Sequence, residues 1–200
     1  MGQYYMPLIK SEDKTTILYP FDYDNGLKLT EHSWIGNYFV NAALSFIKDR
    51  PSMVAWIGDY SNDCVEAFEK KAGGRAQFME YFDQVWRSDR HESTDKPLIE
   101  KYQNLLTMDT KETYLVNHTR RQYIDIAQFI QANKFREEYD IDDWCLNPLP
   151  LLTACGNGQG SGDYYGINED VIGSWAFSII EYTETKPANY KRVRYRFKED

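Results

Sequence analysis

The chain has 200 residues, 42% of them apolar and 16% aromatic, with a formal charge of −8. That length supports one domain with a substantial core, and the acidic balance excludes general attachment to nucleic-acid backbones, which needs clustered Lys and Arg. No apolar run approaches the ~18 residues that would span a bilayer, and residues 1–10 lack the basic and apolar regions of a signal peptide.

Residues 3–9 and 15–19 read as two strands joined by a polar turn, and Asp22, Asp24, Asn25 and Gly26 mark a second turn, because Asn-Gly favours φ > 0. A short strand is expected over 27–30. Ser33 is placed to cap a helix over 34–48 that is apolar around much of its surface and therefore well buried. Pro51 stops that helix, and 53–60 follows as a strand. Helices are expected over 63–71 and 77–86, then an aperiodic charged excursion over 87–97 that is open to proteases. Residues 98–106 are helical in composition, 112–116 and 123–126 form a hairpin, and 127–139 reads as helix before an acidic turn at 140–143. Residues 171–182 read as strand. The basic alternation over 191–198 reads as an edge strand whose charge discourages aggregation, with an acidic partner as the alternative.

This pattern, many short runs bounded by turn residues without regular strand-helix alternation, predicts an α+β fold with an antiparallel sheet built from hairpins and packed helices. Both ends of the chain carry a hairpin followed later by a Trp-bearing strand. The reading is a single domain over 1–200 with convergent hairpin chemistry, the alternative being two weakly similar halves, 1–86 and 112–200, joined by an exposed segment 87–111.

The segment furthest from ordinary composition is 156–162, where Gly156, Gly158, Gly160 and Gly162 supply four of the twelve glycines. No Gly-Lys-Ser/Thr follows, and the residues after it read as turn rather than helix, so neither a P-loop nor a dinucleotide fingerprint is present. Two readings stay open: a mobile surface loop, or a loop that contacts a ligand or partner through Gly156, Asn157, Gly158, Gly160, Gly162, Asp163, Tyr164 and Tyr165. Such a loop holds no core, so alanine at Gly158 and Gly160 is expected to leave the fold intact. Trp56, Asp59, Tyr60 and Trp175 add the mixture of rings and polar groups that lines pockets and interfaces.

Cys64, Cys145 and Cys155 are odd in number and show no CxxC, which points to free thiols and a cytoplasmic setting. His32, His91 and His118 show no metal-ligand spacing, so no metal or cofactor is expected. A nucleophilic site would pair Cys155 with His118 and an orienting Asp59 or Asp163.

Met1-Gly2-Gln3-Tyr4-Tyr5, Trp56-Ile57-Gly58-Asp59-Tyr60 and the run from Gly156 through Asp163-Tyr164 resemble a loose family of uncharacterised bacterial, phage and mobile-element proteins. The resemblance implies a small cytoplasmic protein of phage or integrated-element origin, and it carries no activity, cofactor or catalytic residue. The expected function is a binding or interaction protein that uses the glycine loop and its tyrosines to contact a host protein or a small nucleotide-like ligand. The alternative is a hydrolase or transferase using Cys155, or an Asp pair, with His118.

Overall fold

A computed structural model of the chain describes residues 2–73, 78–87, 92–135 and 143–197. The strands are β1 (Tyr5–Lys10), β2 (Thr15–Ile17), β3 (Ser52–Gly58), β4 (Tyr114–Asn117), β5 (Gln122–Asp125), β6 (Ala154–Cys155), β7 (Ser178–Thr183) and β8 (Lys191–Arg192). The helices are α1 (Leu29–His32), α2 (Tyr38–Ile47), α3 (Asn62–Lys71), α4 (Phe78–Trp86), α5 (Ile126–Asn133) and α6 (Pro148–Thr153). The strands form one sheet in the order β2-β1-β3-β7-β4-β5-β8, with β6 beside the end of β3. Every pairing is antiparallel except β3 with β6 and β5 with β8. The fold is α+β. Among the described residues no helix is long and apolar enough to cross a membrane.

β3 is central because both of its faces are covered, and a strand buried on both sides reads as a continuous apolar run. Val54 and Trp56 point into the larger core with Phe39 and Leu44 of α2, Ile130 of α5 and Leu151 of α6. Ala55 and Ile57 point into the opposite core with Val65 of α3 and Phe82 and Val85 of α4. α2 explains its own burial: seven of its ten residues are buried, and its N-cap Asn37 accepts a 3.1 Å hydrogen bond from Val40 N.

The strand connections repeat. A hairpin (β1–β2), a helix (α2) and a strand (β3) that pairs with the first hairpin strand are followed by a hairpin (β4–β5), helices and a strand (β7) that pairs with the first strand of the second hairpin. The two units meet along β3 and β7.

Several elements differ from the sequence expectation, each for a local reason. Residues 29–32 are helical rather than extended, because Glu31 reaches back to Lys28 N at 3.0 Å. Ser33 ends that helix, its hydroxyl bonding Leu29 O, and Asn37 starts α2. The apolar run 149–152, to which composition assigned no element, is the buried helix α6. Asn147 caps it, and Pro148 sits at its start, where a missing N–H costs nothing. Over 171–182, turns precede β7, and only 178–183 is strand. Residues 98–106 hold a single short 3-10 turn, Ile99–Lys101.

Within 87–111, residues 88–91, including His91, lie outside the described residues. The part that follows is tied down rather than free. Thr94 Oγ1 accepts from Ile17 N at 2.9 Å, Ser93 Oγ accepts from Tyr19 N at 2.9 Å, and Lys96 pairs with Asp22 at 2.7 Å. Residues 93–96 form a strap whose polar side chains satisfy the outer edge of β2, Tyr102 and Leu106 are buried, and Leu98 and Ile99 are exposed. Helix α5 ends at Asn133, and the remainder of the expected helix, 136–139, lies outside the described residues, as do 140–142 of the acidic turn.

Candidate functional site

The glycine loop is closed around one carboxylate. Asp163 Oδ2 accepts hydrogen bonds from the backbone N–H groups of Gly158, Gln159 and Gly160 at 2.7, 2.7 and 2.9 Å. Its Oδ1 accepts from the Tyr5 hydroxyl at 2.8 Å. Three converging amides form the kind of nest that elsewhere holds a phosphate, and here the protein's own acid fills it. Asp163 is 3% exposed, and burial, followed by the Asp163 charge, raises the Tyr5 hydroxyl far above its ordinary range.

Close packing explains most of the glycines. A Cβ on Gly160 would lie 2.6 Å from Gln3 N, one on Gly156 2.6 Å from Ser61 Cβ, and one on Gly162 2.4 Å from Lys28 Cδ. Of the four loop glycines only Gly158 faces open space, and its φ of +95° favours glycine. The expectation that alanine is tolerated at Gly160 is therefore corrected: the loop lies directly against the N-terminal segment, where Gln3 N also donates to Ser161 O at 3.2 Å. Thr30 N donates to Gly162 O at 3.0 Å and ties the loop to α1.

The residues proposed as a contact surface divide. Gly156, Asp163 and Tyr164 are buried, the Tyr164 hydroxyl donating to Ile167 O at 3.0 Å and Phe197 O at 3.2 Å. Asn157 is half-buried and bonds both main-chain groups of Tyr164, at 2.8 and 3.0 Å. Gly158 is exposed, Gly160 and Gly162 are half-buried, and Tyr165 is 61% exposed with its hydroxyl on Gly160 O at 3.1 Å. Trp56 and Trp175 are wholly buried and belong to the core.

Next to the loop, Asp59 and Tyr4 are joined twice. Tyr4 N donates to Asp59 Oδ1 and Asp59 N donates to Tyr4 O, both at 3.0 Å. Burial raises the Asp59 carboxyl, and repulsion from Asp163 adds to it. Tyr4 and Tyr60 are 40% and 38% exposed. Tyr4 also walls a shallow groove of about 450 Å³ with Phe21, Leu27, Lys28 and Glu31. Sequence reasoning missed Phe21 and Lys28, and no signal in one sequence brings α1 to the loop.

The nucleophilic constellation does not assemble. Cys155 is buried in β6 and bonded to Cys64 of α3 in a disulfide, so it carries no thiolate, and the free-thiol expectation behind a cytoplasmic setting loses that support. Cys155 lies opposite Ile57, whereas His118 N donates to Ile179 O, opposite Met53. Four residues of strand and one strand spacing separate these points by roughly 14 Å. His118 instead bonds Glu181 Oε2 through Nε2 at 2.9 Å and the Tyr190 hydroxyl through Nδ1 at 3.1 Å. Those partners come from β7 and the 184–190 turn, and only the strand register reveals them. Asp59 and Asp163 are near enough to repel one another, but Asp163 is engaged by four donors.

His32 is a core residue. Trp56 Nε1 donates to its Nε2 at 3.1 Å, so the Nδ1 proton points to Gly26 O at 3.0 Å. Burial lowers this imidazole to about 4 and keeps it neutral. Among the described residues no cluster of three His, Cys, Asp or Glu side chains is arranged to hold a metal ion. No family model, curated protein or solved structure matches this chain, and its site is read from its own geometry.

Proposed function

We propose that the protein is a recognition module that binds a protein partner through the surface formed by Tyr4, Tyr60 and Tyr165 on the glycine-loop platform. The observation that carries this reading is the occupied nest. Because Asp163 takes the three loop amides, the site repels a phosphate rather than cradling it, which favours a protein over the nucleotide-like ligand expected from sequence. The same bonds hold the loop rigid, so the exposed rings are presented at low entropic cost, and tyrosine is well suited to such contacts. The neighbouring Lys28 and Glu31 supply both signs of charge at the rim, the mixture usual around an interface core. A phage or mobile-element origin fits a partner from the host cell.

The test is capture of partners by cross-linking in the natural host, with wild-type protein and with Tyr60→Ala/Tyr165→Ala. Loss of a specific cross-linked species in the variant, with unchanged folding, supports the reading. An unaltered set of species, or saturable binding of ATP or GTP that the tyrosine changes abolish, overturns it.

A further inference from the structure

At the β8 edge of the sheet, the chain concentrates positive charge against its own average. Arg192, Arg194 and Arg196 occupy alternate positions in a protein of net charge −8. The odd-numbered residues between them are fastened: Lys191 N donates to Arg121 O and Val193 N to Tyr123 O, both at 2.9 Å. Asn133 of α5 continues the attachment, donating to Tyr195 O at 3.0 Å and accepting from Phe197 N at 2.6 Å. Only Lys191–Arg192 is strand, short of the edge strand expected over 191–198, and the segment 193–197 that follows is held by these bonds while Arg194 and Arg196 remain exposed.

These arginines border a cavity of about 390 Å³ between the 192–196 segment and α5. Its apolar lining comes from Ile124, Phe129, Ala132, Val193 and Tyr195, and its polar lining from the three arginines with Asp125, Gln128 and Asn168. The Asp125 carboxylate is already used, accepting from Gln128 N at 3.1 Å and Gln128 Nε2 at 3.0 Å as the cap of α5. Gln128 Oε1 then accepts from Arg192 Nη1 at 2.7 Å and holds that side chain at the mouth. Among the described residues neither Arg192 nor Arg194 pairs with a carboxylate. A protective edge charge would serve as well from lysines over solvent. It does not account for planar, multidentate guanidinium groups around an apolar hollow of ligand size.

We infer that this cavity binds a small amphipathic anion, its apolar body against Phe129, Val193 and Tyr195 and its carboxylate or phosphate head on Arg194 and Arg192. The cavity shares no lining residue with Tyr4, Tyr60 and Tyr165, and the inference does not depend on the function proposed for them.

The test is amide NMR titration of the full chain with octyl phosphate and octanoate, with octanol and inorganic phosphate as controls. Expected are shifts centred on Gln128, Ala132 and residues 193–196, with one or both amphipathic anions binding about tenfold tighter than either control. The stronger of the two identifies the head group. Arg194→Gln, at an exposed position, is expected to weaken that binding about tenfold with the spectrum otherwise retained, and Ala132→Trp to block it. Equal binding of octanol would reduce the cavity to a greasy surface, and equal binding of inorganic phosphate to an adventitious ion site. Either result, shifts centred elsewhere, or unchanged affinity in Arg194→Gln overturns the inference.

Discussion

The hydroxyl of Tyr5, in the first strand, donates a 2.8 Å hydrogen bond to the Asp163 carboxylate, 158 residues further along the chain. It joins the N-terminal strand to the glycine loop through a buried carboxylate that accepts hydrogen bonds from the loop's own amides. Removing the phenol leaves three donors on the carboxylate, so Tyr5→Phe is expected to cost about 1–2 kcal/mol. Asp163→Ala leaves three amides of the loop without their acceptor and is expected to cost about 3 kcal/mol or more. Urea denaturation of both variants checks the order, and equal losses would mean that the carboxylate does not organise the loop.

The loop glycines are unequal. Gly158→Ala meets open space and carries only the strain of its positive φ, about 1 kcal/mol. Gly160→Ala places a methyl group against the backbone of Gln3 and is expected to cost about 2 kcal/mol or more, since the close neighbour is main chain. Thermal unfolding that ranks Gly158→Ala as the more damaging would contradict this packing.

The bond between Cys64 and Cys155 closes a sequence separation of 91 residues. Cross-linking a loop of that size is expected to stabilise the fold by about 2–4 kcal/mol, lost on reduction and absent from Cys64→Ser. Cys145 is the free cysteine, buried, with its thiol pushed up to about 12 by that burial. Thiol labelling should therefore detect no fast-reacting group in the native protein, one after denaturation alone, and three after denaturation with reductant.

His32 makes stability depend on pH. Its folded-state value lies near 4 against an ordinary 6.5, so the unfolded chain takes up a proton that the folded chain refuses. The effect is absent above pH 6.5 and grows as pH falls towards 4, reaching about 3 kcal/mol of lost stability. Denaturation midpoints measured across that range should fall in wild type and fall less in His32→Gln. Equal slopes would assign the acid sensitivity to other groups.

Much of the architecture was legible in the sequence. The hairpins, the central strand around Trp56 and a buried helix, expected over 34–48 and found over Tyr38–Ile47, follow from local turn chemistry and apolar periodicity, which act between residues close in the chain. The polar composition around Ser93 and Thr94 did not reveal their attachment to β2, because a hydroxyl that satisfies a sheet edge reads the same as one facing water. Composition marked the glycine loop as unusual, but the reason lies in what presses on it: Gln3, Ser61 and Lys28 leave no room for side chains. The nest around Asp163, the disulfide from α3 to β6, and the separation of His118 from Cys155 were decided by strand order and register. Those depend on how covered faces pack across more than a hundred residues, and a single sequence does not record which distant segments share a face.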